Sequence, residues 1–292
     1  AGAHTIDTDT QLDSTGVAAL GYVAGAHTVE VDGSITNEIE LPTTANAGDM
    51  NYWNGTSWVV IAATVNEAAT LQMIGGVPTW TGGTAPATYP SGSVFCASGP
   101  TAIVDVTNAI TGKTWMDRNL GATQVATSST DTNSYGDLYQ WGRRSDGHQC
   151  RTSSTTSTLS STDQPVHGDF ILNSNDWRSP QNANLWQGVN GINNPCPSGY
   201  RLPTETELNA ERSSWSISNS SGAFASPLKL PMAGDRDDNT ASLNYVGSYG
   251  FYWSSSVSSN NSRNLDFNNN SSNAPMTTLA RAYGFSVRCI KD

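Results

Sequence analysis

The sequence has few charged residues and very little lysine. Of its 292 residues, 13% are charged, and the formal net charge is −11. Lysine occurs only at Lys113, Lys229 and Lys291. Contacts to phosphate need lysine and arginine, so this composition argues against a general nucleic-acid-binding protein. It also disfavours binding to anionic membrane surfaces.

Long apolar runs are also missing. No stretch approaches the roughly 20 apolar residues of a membrane span, so we expect no membrane insertion. The four cysteines, Cys96, Cys150, Cys196 and Cys289, lack the CxxC spacing of a zinc site. They allow three disulfide pairings, and the sequence does not choose among them. We predict no metal and no cofactor.

Residues 1–85 predict a small β-rich module. A helix near 17–23 is interrupted by glycines, and residues 28–32 alternate as a strand. Residues 50–61 predict a hairpin that turns at Asn54-Gly55, and a second turn at Gly75-Gly76 precedes a closing strand. We expect an attachment module here, which is also the candidate for contacts within a homo-oligomer. Residues 86–93 predict a linker.

Residues 94–292 predict a second domain of short strands, long polar loops and few helices. One helix is expected over 203–211, where Thr204 and Glu207 have the spacing of a capping box. Residues 284–290 alternate as a final strand.

Six phrases of this second domain resemble the Fibrobacter succinogenes major paralogous domain, a bacterial family. In chain order they are GKTWMDRNLG (112–121), YGDLYQWGR (135–143), DGHQ (146–149), PCPSGYRLPT (195–204), YWSS (252–255) and SVRC (286–289). The family is similar to the formylglycine-generating-enzyme branch of the C-type lectin fold. The resemblance therefore implies an α+β domain with a small twisted sheet, one or two helices and much irregular loop.

The same family includes the variable proteins of diversity-generating retroelements, of phage or archaeal-virus type. In these proteins, reverse transcription that randomises adenines rewrites a C-terminal segment, and asparagine codons are the usual targets. Seven asparagines fall within residues 260–273 of this chain. The resemblance thus implies a hypervariable surface near the C-terminus.

Alternation around residues 264–268 suggests how such a surface is held. Leu265 and Phe267 can face the core while Asn264, Asp266 and Asn268 face solvent. Tyrosine and phenylalanine would add contact area at low entropic cost, as in antibody paratopes. The expected ligand-binding positions are Tyr249, Phe251, Tyr252, Asn260, Asn261, Arg263, Asn264, Asp266, Asn268, Asn269, Asn270, Asn273 and Tyr283.

Three other interpretations compete with this one. The asparagine cluster is also what an ordinary solvated loop contains, as in a constant bacterial adhesin or structural module. Cys150 near His148 allows the thiolate–imidazole pair of a formylglycine-type oxidase, although Cys150 lies in no family phrase. Residues 235–239 offer oxygen ligands without the frame of a calcium loop.

We therefore predict a binding protein with no catalytic residue. Its partner would be a protein or glycan on a host or neighbouring cell. The expected location is a virion tail or surface, or an extracellular cell surface.

Overall fold

The computed structural model describes residues 49–62, 70–81, 87–270 and 272–292. Within these ranges most of the regular elements are β-strands, and there are two α-helices, which confirms an α+β class. The chain divides into two compact units, Ala1–Pro86 and Ala87–Asp292. Residues 87–93, expected in the linker, thus belong to the C-terminal unit. The helix predicted near 17–23 and the strand predicted at 28–32 lie outside the described residues.

The described part of the N-terminal unit contains two hairpins. Their strands are β1 (Met50–Trp53), β2 (Trp58–Ile61), β3 (Thr70–Ile74) and β4 (Val77–Thr81). The first hairpin was predicted; of the second, the turn and the closing strand were predicted, and β3 was not. Gly75 and Gly76 have φ angles of +58° and +84°, as a two-residue turn requires. The first turn is longer than expected, because Asn54 Oδ1 accepts hydrogen bonds from the backbone of Thr56 and Ser57.

The C-terminal unit contains thirteen strands and two helices within the described residues. The strands are β5 (Asp105–Asn108), β6 (Lys113–Met116), β7 (Tyr139–Gln140), β8 (Thr155–Thr156), β9 (Phe170–Ile171), β10 (Tyr200–Arg201), β11 (Asp235–Arg236), β12 (Leu243–Asn244), β13 (Tyr249–Ser258), β14 (Asn261–Asn268), β15 (Met276–Leu279), β16 (Gly284–Phe285) and β17 (Ile290–Lys291). The helices are α1 (Glu205–Ser213) and α2 (Ser220–Ala225).

These strands form three main sheets and one short parallel pair. The sheet orders are β10-β17-β6-β5, β12-β11-β16-β7 and β13-β14-β15, and β8 pairs with β9. Residues 284–290, predicted as one strand, instead contribute to two sheets, because the chain leaves one sheet after Phe285 and joins another at Ile290.

Helix α1 begins as the sequence predicts. The Thr204 hydroxyl accepts from the backbone of Glu207, and the Glu207 carboxylate accepts from the backbone of Thr204, which completes the capping box. Arg201 also pairs with Glu207 at 2.8 Å, and these contacts lower the pKa of Glu207 to about 2 despite its partial burial. No helix among the described residues is long and apolar enough to cross a membrane.

The core of the C-terminal unit consists of two large apolar clusters. One surrounds the tryptophans Trp141, Trp186 and Trp253 and includes the disulfide Cys196–Cys289. The other lies between the helices and β14. A second disulfide joins Cys96 to Cys150. The sequence left this pairing open.

A buried arginine connects the C-terminal segment to the rest of the unit. Arg288 is 2% exposed, and its guanidinium donates to the side-chain oxygen of Asn119 and to the carbonyls of Met116 and Leu228. Burial lowers the pKa of Arg288 to about 10. The planar fork of arginine can supply these bonds at once, and lysine cannot.

We expect Arg288→Lys to lower the free energy of unfolding by about 3 kcal/mol, because several buried acceptors would lose their donors. Urea unfolding measures this. The matched variant Arg212→Lys, on the partly exposed side of α1, should change stability by less than about 0.5 kcal/mol. Equal effects of the two variants would contradict the buried network.

Candidate functional site

Strand β14 is the middle strand of its sheet and carries many of the predicted binding positions. Leu265 and Phe267 are 0% exposed, as the alternation predicted. The opposite side of the strand carries Asp266 and Asn268, which are partly exposed. One side of β14 is therefore fixed in the core, and the end of the other side reaches the surface.

Strand β13 places aromatic residues beside these polar ones. Tyr249 pairs with Asn268, and Phe251 pairs with Asp266, so the four side chains share one side of the sheet. Gly250 lies between the two aromatic residues and faces the opposite side of the sheet, where Phe267 leaves no room for a side chain. A Cβ there would lie 2.3 Å from the Phe267 ring.

The aromatic side chains form a continuous cluster. Phe251 and Phe285 stack at 5.0 Å between ring centroids, and both are nearly buried. Tyr249 stacks on Phe251 at 5.6 Å, and Tyr283 stacks on Phe285 at 5.6 Å. Tyr245 lies 4.9 Å from Tyr249 and is 57% exposed. Two phenylalanines thus form a floor, and three tyrosines form its rim.

Two carboxyl groups flank Phe251. Asp266 is its partner in β14. On the other side, the bridge between Gly234 and Gly250 puts Asp235, the next residue, beside Phe251. The pairing of Arg236 with Gly284 also puts Asp235 on the side of Phe285. We call the eight residues of this region the aromatic–acidic face: Asp235, Tyr245, Tyr249, Phe251, Asp266, Asn268, Tyr283 and Phe285.

Both carboxyl groups have perturbed acidity. Burial raises the pKa of Asp266 to about 6. Burial, with added repulsion from Asp237 and Asp238, raises the pKa of Asp235 to about 7. Within the described residues, neither Asp235 Oδ1 nor Asp266 Oδ1 has a hydrogen-bond partner, although both atoms are buried.

Tyr252 was expected in the binding surface and instead lies in the core. It is 0% exposed, its hydroxyl donates to the Pro231 carbonyl at 2.8 Å, and the hydroxyl accepts from Asn119. The reason is the alternation of β13, which turns Tyr252 toward Leu265 and away from Phe251.

Asn264 was expected to face solvent and is also 0% exposed. Its Oδ1 accepts from the Thr277 hydroxyl at 3.0 Å. Asn264 lies opposite Trp253 in mid-sheet, where both sides of β14 are covered. Arg263 lies on the other side of the strand and pairs with Glu205 of α1 and with Thr278.

The remaining predicted positions lie at the two ends of β14. Asn260 lies in the hairpin turn and Asn261 is the first residue of β14, whereas Asn269, Asn270 and Asn273 follow the strand. Asn261 and Asn268 are about 23 Å apart at the usual rise per residue. The structure therefore groups Tyr249, Phe251, Asp266, Asn268 and Tyr283, with the second asparagine group next in the chain. Asn260 and Asn261 lie at the other end of β14.

Asp235, Tyr245 and Phe285 belong to this face but were not among the predicted positions. Tyr245 has a left-handed backbone, with φ +56°, and follows β12 outside any alternating pattern. Asp235 comes beside Phe251 only through pairing between distant segments. The one local signal for Tyr245 was its place four residues before Tyr249, which was a predicted binding position.

The geometry around Cys150 does not provide a thiolate–imidazole pair. Cys150 is bonded to Cys96. His148 is fully buried, its Nδ1 contacts Asp146 at 2.6 Å, and its Nε2 accepts from the Gln140 backbone. Burial and Arg143 lower the pKa of His148 to about 4, so the imidazole serves as a neutral structural acceptor.

The acidic turn at 235–239 is organised by its own backbone. Asp237 Oδ1 accepts from the backbone of Asn239 and Thr240 and from the Thr240 hydroxyl. No group of three or more potential metal ligands occurs within the described ranges. Elsewhere, an apolar groove lined by Tyr89, Phe95 and Ile103 has no converging charged group.

We expect Tyr252→Phe to lower the free energy of unfolding by about 1–2 kcal/mol, because the Pro231 carbonyl and the Asn119 amide would lose a buried partner. The matched variant Tyr249→Phe removes a hydroxyl at the surface and should cost less than about 0.5 kcal/mol. Denaturant unfolding of both variants measures this. The reverse order would mean that Tyr252 is not a core residue.

Asp266 should make the protein less stable as the pH rises. A carboxyl whose pKa is raised by folding destabilises the folded state once it ionises, so this effect is absent below about pH 4 and complete above about pH 6. We therefore expect Asp266→Asn to unfold at a higher temperature than the parent at pH 7.5 and at a similar temperature at pH 4.

A control with the opposite sign is available for this measurement. Hydrogen bonds from Thr127 and Gln124 lower the pKa of Asp131 to about 2, so Asp131→Asn should lose stability at neutral pH. The same sign for both variants would argue against an unpaired Asp266.

Neither the protein-family models, nor the curated proteins, nor the solved structures contain a match to this chain.

Proposed function

We propose that the C-terminal unit is a ligand-recognition domain whose binding surface is the aromatic–acidic face with Asn269, Asn270 and Asn273. The observation that carries this proposal is the alternation of β14. Leu265 and Phe267 are fully buried, while Asp266 and Asn268 reach the surface from the same strand. The side chains that can contact a ligand are therefore different from the side chains that maintain the fold.

The composition of the surface suits recognition. Tyrosines supply large contact area with little entropy to lose, and asparagines supply adaptable hydrogen bonds. Tyr245, Tyr249 and Tyr283 are at least partly exposed, and Asn269, Asn270 and Asn273 are exposed. We propose a protein or glycan of a host or neighbouring cell as the ligand.

We propose further that this unit has the C-type lectin fold and belongs to the variable proteins of diversity-generating retroelements. The family phrases support this in one respect. Their bulky members Trp115, Trp141, Trp253 and Arg288 are buried, with exposures of 2% or less, as expected for a constant scaffold. The asparagines between residues 260 and 273 lie outside these phrases.

The proposed location is a virion surface or an extracellular cell surface. Disulfides persist in oxidising environments, and this unit has two. We propose the N-terminal unit as the attachment module and as the site of homo-oligomer contacts.

The two alternative functions differ from this proposal in what they require. A constant adhesin would need one fixed surface sequence. A formylglycine-type oxidase would need reactive thiols, and all four cysteines are in disulfides within the described residues. For this reason we propose no catalytic role.

A display experiment tests the proposal. The full-length chain is displayed on yeast with Tyr245, Tyr249, Asp266, Asn268 and Tyr283 randomised, and is selected against several unrelated proteins and glycans. We expect normal display levels and specific binders, because these side chains do not hold the fold. A matched library randomises five buried positions of the same region: Tyr252, Trp253, Leu265, Phe267 and Val287.

The buried-position library should lose display, because core substitutions cost several kcal/mol each. If both libraries lose display, the face is part of the scaffold and the proposal fails. If the face library is displayed but yields no binder to any target, the face is tolerant but does not recognise ligands, and the proposal also fails.

A further inference from the structure

We propose, on the basis of the recognition function above, that the aromatic–acidic face binds an organic cation: the ammonium or guanidinium group of a basic side chain on a protein ligand. The argument depends on the aromatic floor and rim, on the two carboxylates beside it and on the charges around it.

The aromatic cluster offers ring surfaces to a cation. The stacked Phe251 and Phe285 lie beneath Tyr249 and Tyr283, and all neighbouring centroids lie within 5.6 Å. Cations are attracted to aromatic faces within about 6 Å of the ring centroid, and more strongly where water is excluded. The two phenylalanines are nearly buried, so the ring surfaces that a cation can reach are those of Tyr245, Tyr249 and Tyr283, and these favour a cation over an anion.

The carboxylates supply the opposite charge at this place. Asp235 is 3% exposed and Asp266 is partly exposed, and each has a buried Oδ1 with no partner among the described residues. An unsatisfied buried acceptor is costly. A cationic donor that reaches Asp266 would relieve that cost, and Asp235, on the other side of Phe251, would add negative potential.

The local charges are also unbalanced. Tyr283 has its pKa raised to about 12 by burial, and then by Asp238, Asp237 and Asp235. Arg236, the nearest basic residue in sequence, points to the other side of β11, where its guanidinium lies 4.4 Å from the centre of the Phe170 ring. Within the described residues, neither Asp235 nor Asp266 forms a salt bridge. The negative charge on this face is thus left for a ligand.

The test uses the whole 292-residue chain and a pair of probes that differ in the terminal ammonium group. The cationic probe is N-acetyl-lysine methylamide, and the neutral one is N-acetyl-norleucine methylamide. NMR titration with labelled tyrosine reports binding at Tyr245, Tyr249 and Tyr283. We expect the lysine probe to shift these signals at millimolar concentration and the norleucine probe to bind at least about tenfold more weakly.

Two isosteric variants identify the carboxylates. Asp266→Asn and Asp235→Asn should each weaken binding of the lysine probe about tenfold without lowering the unfolding temperature, since among the described residues the Oδ1 atom of each has no hydrogen bond to lose. A fall in unfolding temperature together with lost binding would mark a merely structural role. Asp292→Asn, next to β17 in a different sheet, removes the same charge and should leave binding unchanged.

The possible results separate this inference from the proposed function. Equal binding of both probes at the tyrosines would overturn cation recognition and leave ligand recognition standing. No shift with the lysine probe would overturn the cation inference, and the display libraries would still decide the function. Glucosamine serves as a third probe. If it binds more tightly than the lysine probe, the cation comes from an amino sugar and the assignment to a protein ligand is wrong.

Discussion

The C-terminal segment 284–291 holds the C-terminal unit together, and the other features described above depend on it. Phe285 belongs to one sheet, Ile290 to another, and Ser286 exchanges backbone hydrogen bonds with β13 of the third. Between them, Arg288 makes its buried hydrogen bonds and Cys289 forms a disulfide with Cys196. The proposed binding surface depends on this anchoring, because Phe285 lies directly against Phe251.

One polar network in the core is complete, whereas both carboxyl groups at the proposed site keep an unsatisfied atom. Asn119 uses its oxygen for Arg288 and its amide for Tyr252 and the Tyr135 carbonyl, so that network is complete. Asp235 and Asp266, by contrast, each keep a buried oxygen without a partner. Local departures from good folding chemistry are expected where a protein binds something.

Sequence alone predicts the parts of this structure that depend on local chemistry. The capping box of α1, the glycine turn between β3 and β4 and the burial of Leu265 and Phe267 follow from neighbouring residues. Tyr252 was misplaced because neighbouring residues of a strand face opposite sides, so Tyr252 cannot share a side with Phe251. Asn264 was misplaced because alternation shows which residues share a side of a strand, but not whether that side is covered. Asp235 reaches Phe251 through a bridge between distant segments, which no local pattern records.

We propose that a constant core holds a surface whose sequence is free to change. The most direct test is to sequence the DNA around the gene for a near-identical copy of the codons for residues 247–288. We expect such a copy, with differences at template adenines. These differences should fall on exposed positions such as Asn269, Asn270 and Asn273 and should not affect Leu265 and Phe267. If no copy exists, or if differences fall equally on core and surface codons, the claim of a diversified binding surface is contradicted.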